Sequence, residues 1–600
     1  MMNQNLLNEN KPLSLSKNAR QVLESRYLRR DEKGQLLETP EEMFKRVAKT
    51  VARAELKYGT EGDAAYWEEK FYHLMSSLLF LPNSPTLMNA GNPSGQLSAC
   101  FVLPLEDSLE SIFTTLKQAA LIQQSGGGTG FNFSKLRPKG DLIHSTGGTS
   151  SGPVSFMKIF DASTAHIKQG GKRRGANMGI INIDHPDIEE FIQAKMDENV
   201  LQNFNLSVGI KDAFMQAVEK NEMWPLVHPV TGKTVKRVKA KKLWQQIVQN
   251  AWQKGDPGLV FLDSIQKNNP LGSLGEIKAT NPCGEMPLLP YESCNLGSIN
   301  LSRMLIKKND LATIDWVGMA HAVEVAVRFL DNVIDVNHYF IPQVEETTLG
   351  SRKIGLGVMG WAEMLIQLGI PYPSVQALRL GDRLMEFIHQ RSLGASVQLA
   401  KKRGTFEHWS KSKYFQQKVF VRNATRTSIA PTGSISIIAH TSSSIEPLFA
   451  LVFQRENVLN EQTLLEINPF FIEHLQQNGW DNGPLLKKIR LTGNLSEITE
   501  LPKATKKLFK TSLEIPFLYH LKHQQVFQKH TDNAVSKTIN LPPDAPVEDV
   551  DAAYRMAWQM GLKGITIYRY GSRKKQVLTT AKVEDKRPQV VQQSCKVCID

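Results

Sequence analysis

The sequence holds only five cysteines in 600 residues: Cys100, Cys283, Cys294, Cys595 and Cys598. So small and odd a number excludes a secreted disulfide scaffold and points to a reducing, cytoplasmic setting. No apolar run approaches the roughly 18 residues of a membrane span. The opening stretch MMNQNLLNENKPLSLSKNAR lacks the apolar centre of a secretory signal. There are 12 tyrosines, and no two are adjacent. The phosphate-loop pattern G-x-x-x-x-G-K-[ST] and the zinc pattern H-E-x-x-H are missing. Hydrophobic residues at 41% and charged residues at 22% exclude a disordered or fibrous chain.

What is in excess is positive charge. Lys and Arg total 72 against 59 Asp and Glu, a net +13. That balance suits an anionic partner, either nucleic acid or a nucleotide or other phosphorylated metabolite. A nucleic-acid binder would carry a basic helix or an aromatic platform. Here the basic clusters lie in glycine loops and the C-terminal tail, so no nucleic-acid partner is expected. The length fits roughly four domains at about 150 residues each, or one large barrel with additions.

Local patterns divide the chain. Residues 1–75 read as a helical N-terminal region, with Thr39, Pro40 and Glu42 spaced as a helix start. A loop is predicted over Leu81 to Gln96, then a strand at Cys100–Leu103. A helix is predicted from Asp107, with Ile112, Phe113, Leu116, Ala119 and Ala120 on its apolar face. Asp107 reads as the cap of that helix, with Glu110 as return partner. Three glycine-rich loops, SGGGTG, STGGTSSG and QGGKRRGANMG, fall between residues 125 and 180, where backbone N–H groups can approach anions. Further on, short strands alternate with long helices (Trp316–Ile334; Asp382–Lys402, stopped by Gly404), the pattern of an α/β fold. Gly355–Gly360 matches G-x-G-x-x-G. The residues before it, Ser351 to Ile354, make a poor buried strand, which argues against a dinucleotide site. Residues 571–600 are polar and basic and read as a flexible tail. Its Cys595-x-x-Cys598 lacks a second pair of ligands nearby, so a redox dithiol fits better than zinc, and no protein metal site is expected.

The densest chemistry lies at Asn281-Pro282-Cys283-Gly284-Glu285, with Cys294 eleven residues on. Cys283 and Glu285 are two apart and share a face in an extended loop. Spacing alone leaves two readings open: a Cys–Glu reactive site, or a buried structural cysteine.

NPCGE followed by PLLPYESCNLGSINL resembles the catalytic chain of ribonucleotide reductases, specifically the adenosylcobalamin-dependent class II enzymes in homodimeric form. LPNSPTLMNAG, QLSACFVLPLEDSLESIF, GGGTGFNFSKLRP, QGGKRRGANMG, KIGLGVMG, TSIAPTGSISIIA, DNAVSKTINLP and GITIYRYGSR fit the family pattern in the same order. The resemblance implies an α/β barrel of ten strands in two five-stranded halves over residues 76–570. A central finger loop would carry the reactive cysteine. It implies that Cys283 is the thiyl radical that takes the 3′ hydrogen, that Glu285 is the base for the 3′-hydroxyl and that Asn281 orients the sugar. Cys100 and Cys294 would be the reducing pair, and Cys595 and Cys598 the tail dithiol that restores it. Substrate contacts would come from Ser84, Ala99, Cys100, Gly128, residues 281–285, and Pro431, Thr432, Gly433, Ser434 and Ile435. A nucleoside triphosphate effector at a dimer interface would meet Asp107, Ser108, Leu109, Arg137 and Arg173.

The resemblance also bears on class. Class I large subunits use an adjacent tyrosine pair to receive a radical from a second subunit. Here Tyr568 and Tyr570 are split by Arg569, so a class I large subunit stands as the alternative. No glycyl-radical motif and no Asp-x-His-x-x-Gly motif is seen, so the expected cofactor is adenosylcobalamin that keeps its own lower ligand. No contact residues for it can be named. Family-like text begins near Leu15, so no regulatory ATP-cone is expected, only base selection. The remaining expected partners are a ribonucleotide, with diphosphate favoured by the dimeric branch, and thioredoxin or a similar dithiol.

Overall fold

The computed structural model describes residues 13–572, apart from 94, 144–146, 170–172, 310, 460–461, 481–482 and 493, together with the backbone of 578–580. Cys595 and Cys598 lie outside the described residues. The chain divides into two compact units: residues 1–447 with 513–574, and residues 448–512 with 575–600.

The first unit opens with three helices, α1 (Lys17–Arg26), α2 (Pro40–Ala52) and α3 (Glu61–Ser76). Each start is fixed by a side chain that satisfies an otherwise unpaired N–H group. Ser16 caps α1. The predicted Thr39–Glu42 pair forms a reciprocal capping box on α2, and Thr60 with Asp63 does the same on α3. The expected loop after Leu81 contains a short helix, α4 (Ser84–Asn89). Asn83 accepts the Thr86 N–H at 2.9 Å, and a proline sits in the first turn, where no N–H partner is needed.

The rest of this unit is a closed barrel. Its first half is β1 (Cys100–Val102), β2 (Gly128–Asn132), β3 (Asn177–Asn182), β4 (Phe204–Ile210) and β5 (Gly258–Phe261), each parallel to the next. The second half runs β6 (Ser293–Asn300), β7 (Ile354–Met359), an extended segment at 425–429, a segment at 533–541 that contains β8 (Thr538–Leu541), and β9 (Gly564–Arg569). Neighbours here are parallel as well, through Asn295 opposite Ile354, bridges Leu356–Thr427 and Ile429–Val535, and Thr538 opposite Thr566. Two antiparallel seams join the halves: Cys294 opposite Cys100, and Leu259 opposite Ile565. Closure pairs each of these ten segments on both sides, and β6 and β7 are buried along their whole length.

The G-x-G-x-x-G stretch is therefore strand β7 itself. A Cβ on Gly357 would lie 2.3 Å from the Ser428 carbonyl oxygen, so glycine there lets the 425–429 segment join the barrel. Helices cover the outside: α5 (Leu109–Gln124), α6 (Pro153–His166), α7 (Trp316–Val336) and α8 (Val375–Arg403). Between the first half and its helices, Phe131, Phe133, Phe160 and Phe204 pack edge to face and tilted, with centroids 5.0 to 6.1 Å apart. Helix α8 begins earlier than predicted because Ser374 caps it through the Ala377 N–H. Helix α5 begins at Leu109, and its cap is Ser108, which accepts the Ser111 N–H at 3.2 Å. Phe113 faces outward, 49% exposed, rather than inward with Ile112 and Ala119.

In the second unit, Phe471 in the α-helix Pro469–Gln477 meets Phe509, just past the α-helix Lys503–Leu508, with ring centroids 5.0 Å apart. Among the described residues no helix is long and apolar enough to cross a membrane.

Candidate active site

A hairpin projects among the strands of the first half. Ala279–Thr280 pairs antiparallel with Pro287–Leu288, and residues 281–286 form its tip. The tip closes on itself. Gly284 N–H donates to the Asn281 carbonyl at 3.1 Å, and Met286 N–H donates to the Asn281 side-chain oxygen at 2.9 Å. Both barrel halves grip the hairpin. From the first, Asn132 Nδ2 donates to the Lys278 carbonyl at 2.7 Å and Asn205 Nδ2 to the Pro282 carbonyl at 2.8 Å. From the second, Ser428 Oγ and Ala534 N–H each donate to the Glu285 carbonyl at 2.9 Å.

This placement gathers most of the predicted chemistry. Cys100 and Cys294 stand directly opposite each other across the β1–β6 seam, both buried and both free thiols. Directly opposed residues in antiparallel strands have Cα atoms about 4.5–5.5 Å apart, a span a disulfide can bridge. Asn281 Nδ2 donates to Cys100 Sγ at 3.1 Å, which ties the tip to the seam. The Cys294 thiol donates to the Asn295 carbonyl at 3.1 Å. Gly128 N–H donates to the Ala99 carbonyl at 2.8 Å, and a Cβ on Gly128 would lie 2.9 Å from the Pro282 ring.

Electrostatics at the tip follow from desolvation. Burial pushes the Glu285 carboxyl up to about 7, against the hydrogen bond from Asn281. Its Oε2 atom is buried without a protein hydrogen-bond partner. An acid that titrates near neutrality and keeps a free oxygen is suited to accept a proton from a bound hydroxyl. Cys283 is open to solvent at the tip while protein surrounds it more widely. Desolvation and the nearby Glu285 push its thiol above the ordinary range. Burial, then Glu285, Cys294 and Cys283, push Cys100 up as well. These thiols are therefore neutral near pH 7, a state that suits hydrogen-atom and proton donation better than attack as thiolates.

The predicted phosphate loop sits elsewhere in the unit. Residues 431–435 lead into a short helix, α9 (Ile435–Ala439), which packs against α1 and against Phe80–Pro82. Thr432 Oγ1 accepts the Ser444 N–H at 2.7 Å. Ser84 opens α4, and its hydroxyl lies 2.8 Å from that of Tyr27, just past α1. Ser84 and the loop thus both adjoin α1.

A further cluster surrounds the start of α5. The Asp107 carboxylate accepts both the backbone N–H and Nε of Arg137, at 2.9 and 2.7 Å. With Ser108 as the cap, Asp107 is the partner of Arg137. Arg173 lies in a two-residue strand whose side chains are outside the described residues.

Asn132, Asn205, Ser428 and Ala534 are contacts to the hairpin that sequence reading missed. Asn132, Ser428 and Ala534 stand within motifs singled out by resemblance, GGGTGFNFSKLRP, TSIAPTGSISIIA and DNAVSKTINLP, but without a role. Asn205 lies outside every such motif, and nothing in the sequence around it signals that its side chain reaches the hairpin.

No group of three or more His, Cys, Asp or Glu among the described residues is placed to hold a metal ion. For an organic radical source, the fit is at the tip: Cys283 is exposed where Cys100 and Cys294 are buried. Beyond its two chain neighbours, no described atom lies within 4 Å of where a side chain on Gly284 would begin.

Comparisons with known proteins agree with this geometry. Residues 98–421 and 416–568 match the ribonucleotide reductase barrel domain, and residues 13–95 its all-alpha domain. The chain is similar to the vitamin B12-dependent ribonucleoside-diphosphate reductase of Thermoplasma acidophilum. Identity is 48%, covering 96% of this chain and 82% of the relative. A protein of the same description from Mycobacterium tuberculosis is 50% identical, with the same coverage. Among solved structures, the class Id ribonucleotide reductase alpha subunit of Actinobacillus ureae superposes with a TM-score of 0.76. It is 27% identical, covering 94% of this chain and 99% of that one.

Proposed function

The chain belongs to the ribonucleotide reductase family, and from that premise we propose that it is an adenosylcobalamin-dependent enzyme that reduces ribonucleoside diphosphates to 2′-deoxyribonucleotides for DNA synthesis. The observation that carries this reading is the convergence of Cys283, Glu285 and Asn281 on one hairpin tip, with Asn281 bonded to Cys100 and Cys294 directly across the seam. The two relatives near 50% identity carry the same activity in their descriptions.

Each residue has a task that its environment supports. Adenosylcobalamin, when bound, supplies the one-electron oxidation of the Cys283 thiol, which faces the open side of the tip. The Cys283 thiyl radical takes the 3′ hydrogen of the ribose. Glu285 accepts the 3′-hydroxyl proton through its unpartnered Oε2. Cys100, kept neutral by burial, gives its proton to the departing 2′-hydroxyl, which leaves as water. Cys100 and Cys294 together supply two electrons and the hydrogen that replaces the hydroxyl on the 2′ carbon, and end as a disulfide. Cys283 then gives its hydrogen back to the 3′ carbon and is again the thiyl radical, while Glu285 returns the proton to the 3′ oxygen. Thioredoxin or a similar dithiol restores the pair through Cys595 and Cys598. That need for reducing thiols supports a cytoplasmic location.

The diphosphate is held by Ser84 and by the 431–435 loop beside α1. An effector nucleotide binds near Asp107, Ser108, Leu109, Arg137 and Arg173. Exposed Leu109, Phe113 and Leu121 on α5, and Ile159 on α6, support a homodimer that covers them.

The test is reduction of CDP and of CTP with adenosylcobalamin and dithiothreitol. Deoxycytidine diphosphate should form only when both additions are present, and Cys283→Ser should abolish it while nucleotide binding persists. Turnover that needs an added iron- or manganese-loaded subunit instead of the cofactor would return the chain to the class I alternative.

A further inference from the structure

Strand β6 has a ladder on each edge. On one, Cys294 faces Cys100. On the other, Asn295 faces Ile354 in parallel register, which places Lys353 one step back, beside Cys294. Residues directly across adjacent strands share a face of the sheet. Cys100, Cys294 and Lys353 therefore form a row across three strands. Lys353 is 1% exposed, and its Nζ donates to Glu292 Oε2 at 2.5 Å. Glu292 is also buried, and Oε2 accepts the Leu289 N–H at 2.7 Å. A buried ion pair is weak ground for stability, because apolar replacements of equal volume are often neutral or better. Its position beside a redox thiol gives it a different use.

We propose that Lys353 is a positioning residue for the Cys100–Cys294 couple, its ammonium held by Glu292 so as to stabilise the negative charge that appears on Cys294 when the disulfide is opened. This rests on the redox role given to the pair above. A dithiol reductant provides the electrons. One of its thiolates attacks Cys100 Sγ, the Cys100–Cys294 bond breaks, and the bonding pair leaves on Cys294 Sγ as a thiolate. The second thiol of the reductant then gives its proton to that thiolate and attacks the mixed disulfide, which releases Cys100 as a thiolate that takes up from water the proton the first reductant thiol had released. The reductant ends as a disulfide, and Cys100 and Cys294 as thiols.

The surroundings make the two sulfurs unequal. The charged and titratable groups that bear on Cys294 are Lys353, which favours its thiolate, and Glu292 and Glu285, which oppose it. Burial opposes the thiolate at both sulfurs. The charged and titratable groups that bear on Cys100 are Glu285, Cys294 and Cys283, with no cation among them, and the contact that favours its thiolate is the neutral Asn281 amide. Exchange is faster when the leaving sulfur is the better-stabilised thiolate, so Cys294 is the leaving sulfur and Cys100 the one attacked.

The experiment uses the full chain carrying Cys595→Ser and Cys598→Ser, with adenosylcobalamin bound, so that dithiothreitol acts directly on the inner pair. A single turnover with CDP should consume two thiols. Dithiothreitol is then added and their return is timed. In the Lys353→Met variant the return should slow at least about tenfold, because the leaving thiolate has lost its cation. Lys353→Arg should stay within about threefold of the parent, because the charge is kept. The double variant Lys353→Met/Glu292→Gln leaves no orphaned carboxylate, so it folds without that burden and should remain slow. Parent-like return in Lys353→Met, or recovery of the parent rate in the double variant, overturns the proposal. A first turnover that consumes no thiols overturns instead the redox role of the pair itself.

Discussion

The carbonyl oxygen of Thr280 lies 1.8 Å from the point where a Cβ on Gly130 would sit. The hairpin backbone thus runs directly against barrel strand β2, and the height of the Cys283 tip depends on a missing methyl group.

Gly130→Ala should therefore damage chemistry more than folding. The methyl group forces the hairpin away from β2, and a misplacement of about 1 Å at reacting groups can cost about a hundredfold in rate. We expect kcat to fall by about that factor, with cooperative unfolding retained. Gly394→Ala is the control. It lies within α8 with no atom within 4 Å of the new methyl beyond its own stretch of helix, and alanine in a helix interior is favoured over glycine by roughly 0.5–1 kcal/mol. Equal activity in the two variants would show that the tip does not depend on this contact.

Much of the site was legible in the sequence because its chemistry is local. NPCGE, the spacing to Cys294 and the seam strand at Cys100 can be read as text, and the Thr39–Glu42 box follows from four residues. What could not be read depends on closure of the barrel. Asn205 is an ordinary strand residue until the hairpin passes beside it. Lys353 looked like part of a poor strand, because a charged residue there is tolerated only once Glu292 is brought beside it. The predicted start of α5 falls two residues early because Asp107 and Ser108 are both good caps, and only the distant Arg137 decides between them.

Glu285 should give the protein a pH-dependent stability of a particular sign. Its folded-state value, about 7, lies above the ordinary 4.5. Between those values the folded protein holds a proton that the unfolded chain releases, so stability falls as pH rises through that window and stays lowered above it. Glu285→Gln removes the cost of ionisation. The variant should be more stable than the parent at about pH 8, on the order of 1–3 kcal/mol, and the difference should vanish towards about pH 4.5. Urea unfolding at the two pH values measures it. An advantage for the variant that is equal at both would contradict the desolvation argument. Reduction of CDP should be lost in this variant at every pH.

Asn205 provides a test of the grip on the hairpin that leaves every reacting group in place. Its Nδ2 donates to the Pro282 carbonyl, one residue before Cys283. Asn205→Ala should cost about 1 kcal/mol in stability, the worth of one buried hydrogen bond. It should slow turnover about tenfold through looser placement of the tip. Steady-state kinetics should show the loss in kcat, with KM for CDP little changed. A rise in KM with kcat intact would assign Asn205 to substrate binding instead.

The N-terminal helices are locked to the barrel helices by buried charge, and this too has a pH signature. Asp331 on α7 is fully buried and bonds to Arg352 and Arg403, each at 2.9 Å, with Arg422 at 3.6 Å. Arg403 continues to Glu55, just past α2, at 2.7 Å, and Arg328 reaches the same carboxylate at 2.5 Å. Burial alone would raise the Asp331 carboxyl. The surrounding arginines overcome it and hold the group at about 2, below the ordinary 3.8. A depressed carboxyl stabilises the fold fully above its unfolded value, and that contribution is lost as pH falls through its folded one. Asp331→Asn leaves three guanidinium groups short of a partner, and breaking such a buried pair typically costs about 3–5 kcal/mol. The melting temperature of the variant should therefore lie well below that of the parent at pH 7. The gap should narrow only as pH drops from about 4 towards 2, where the parent carboxylate takes up its proton. A gap that stays constant over that range would mean that shape, not charge, is what Asp331 contributes.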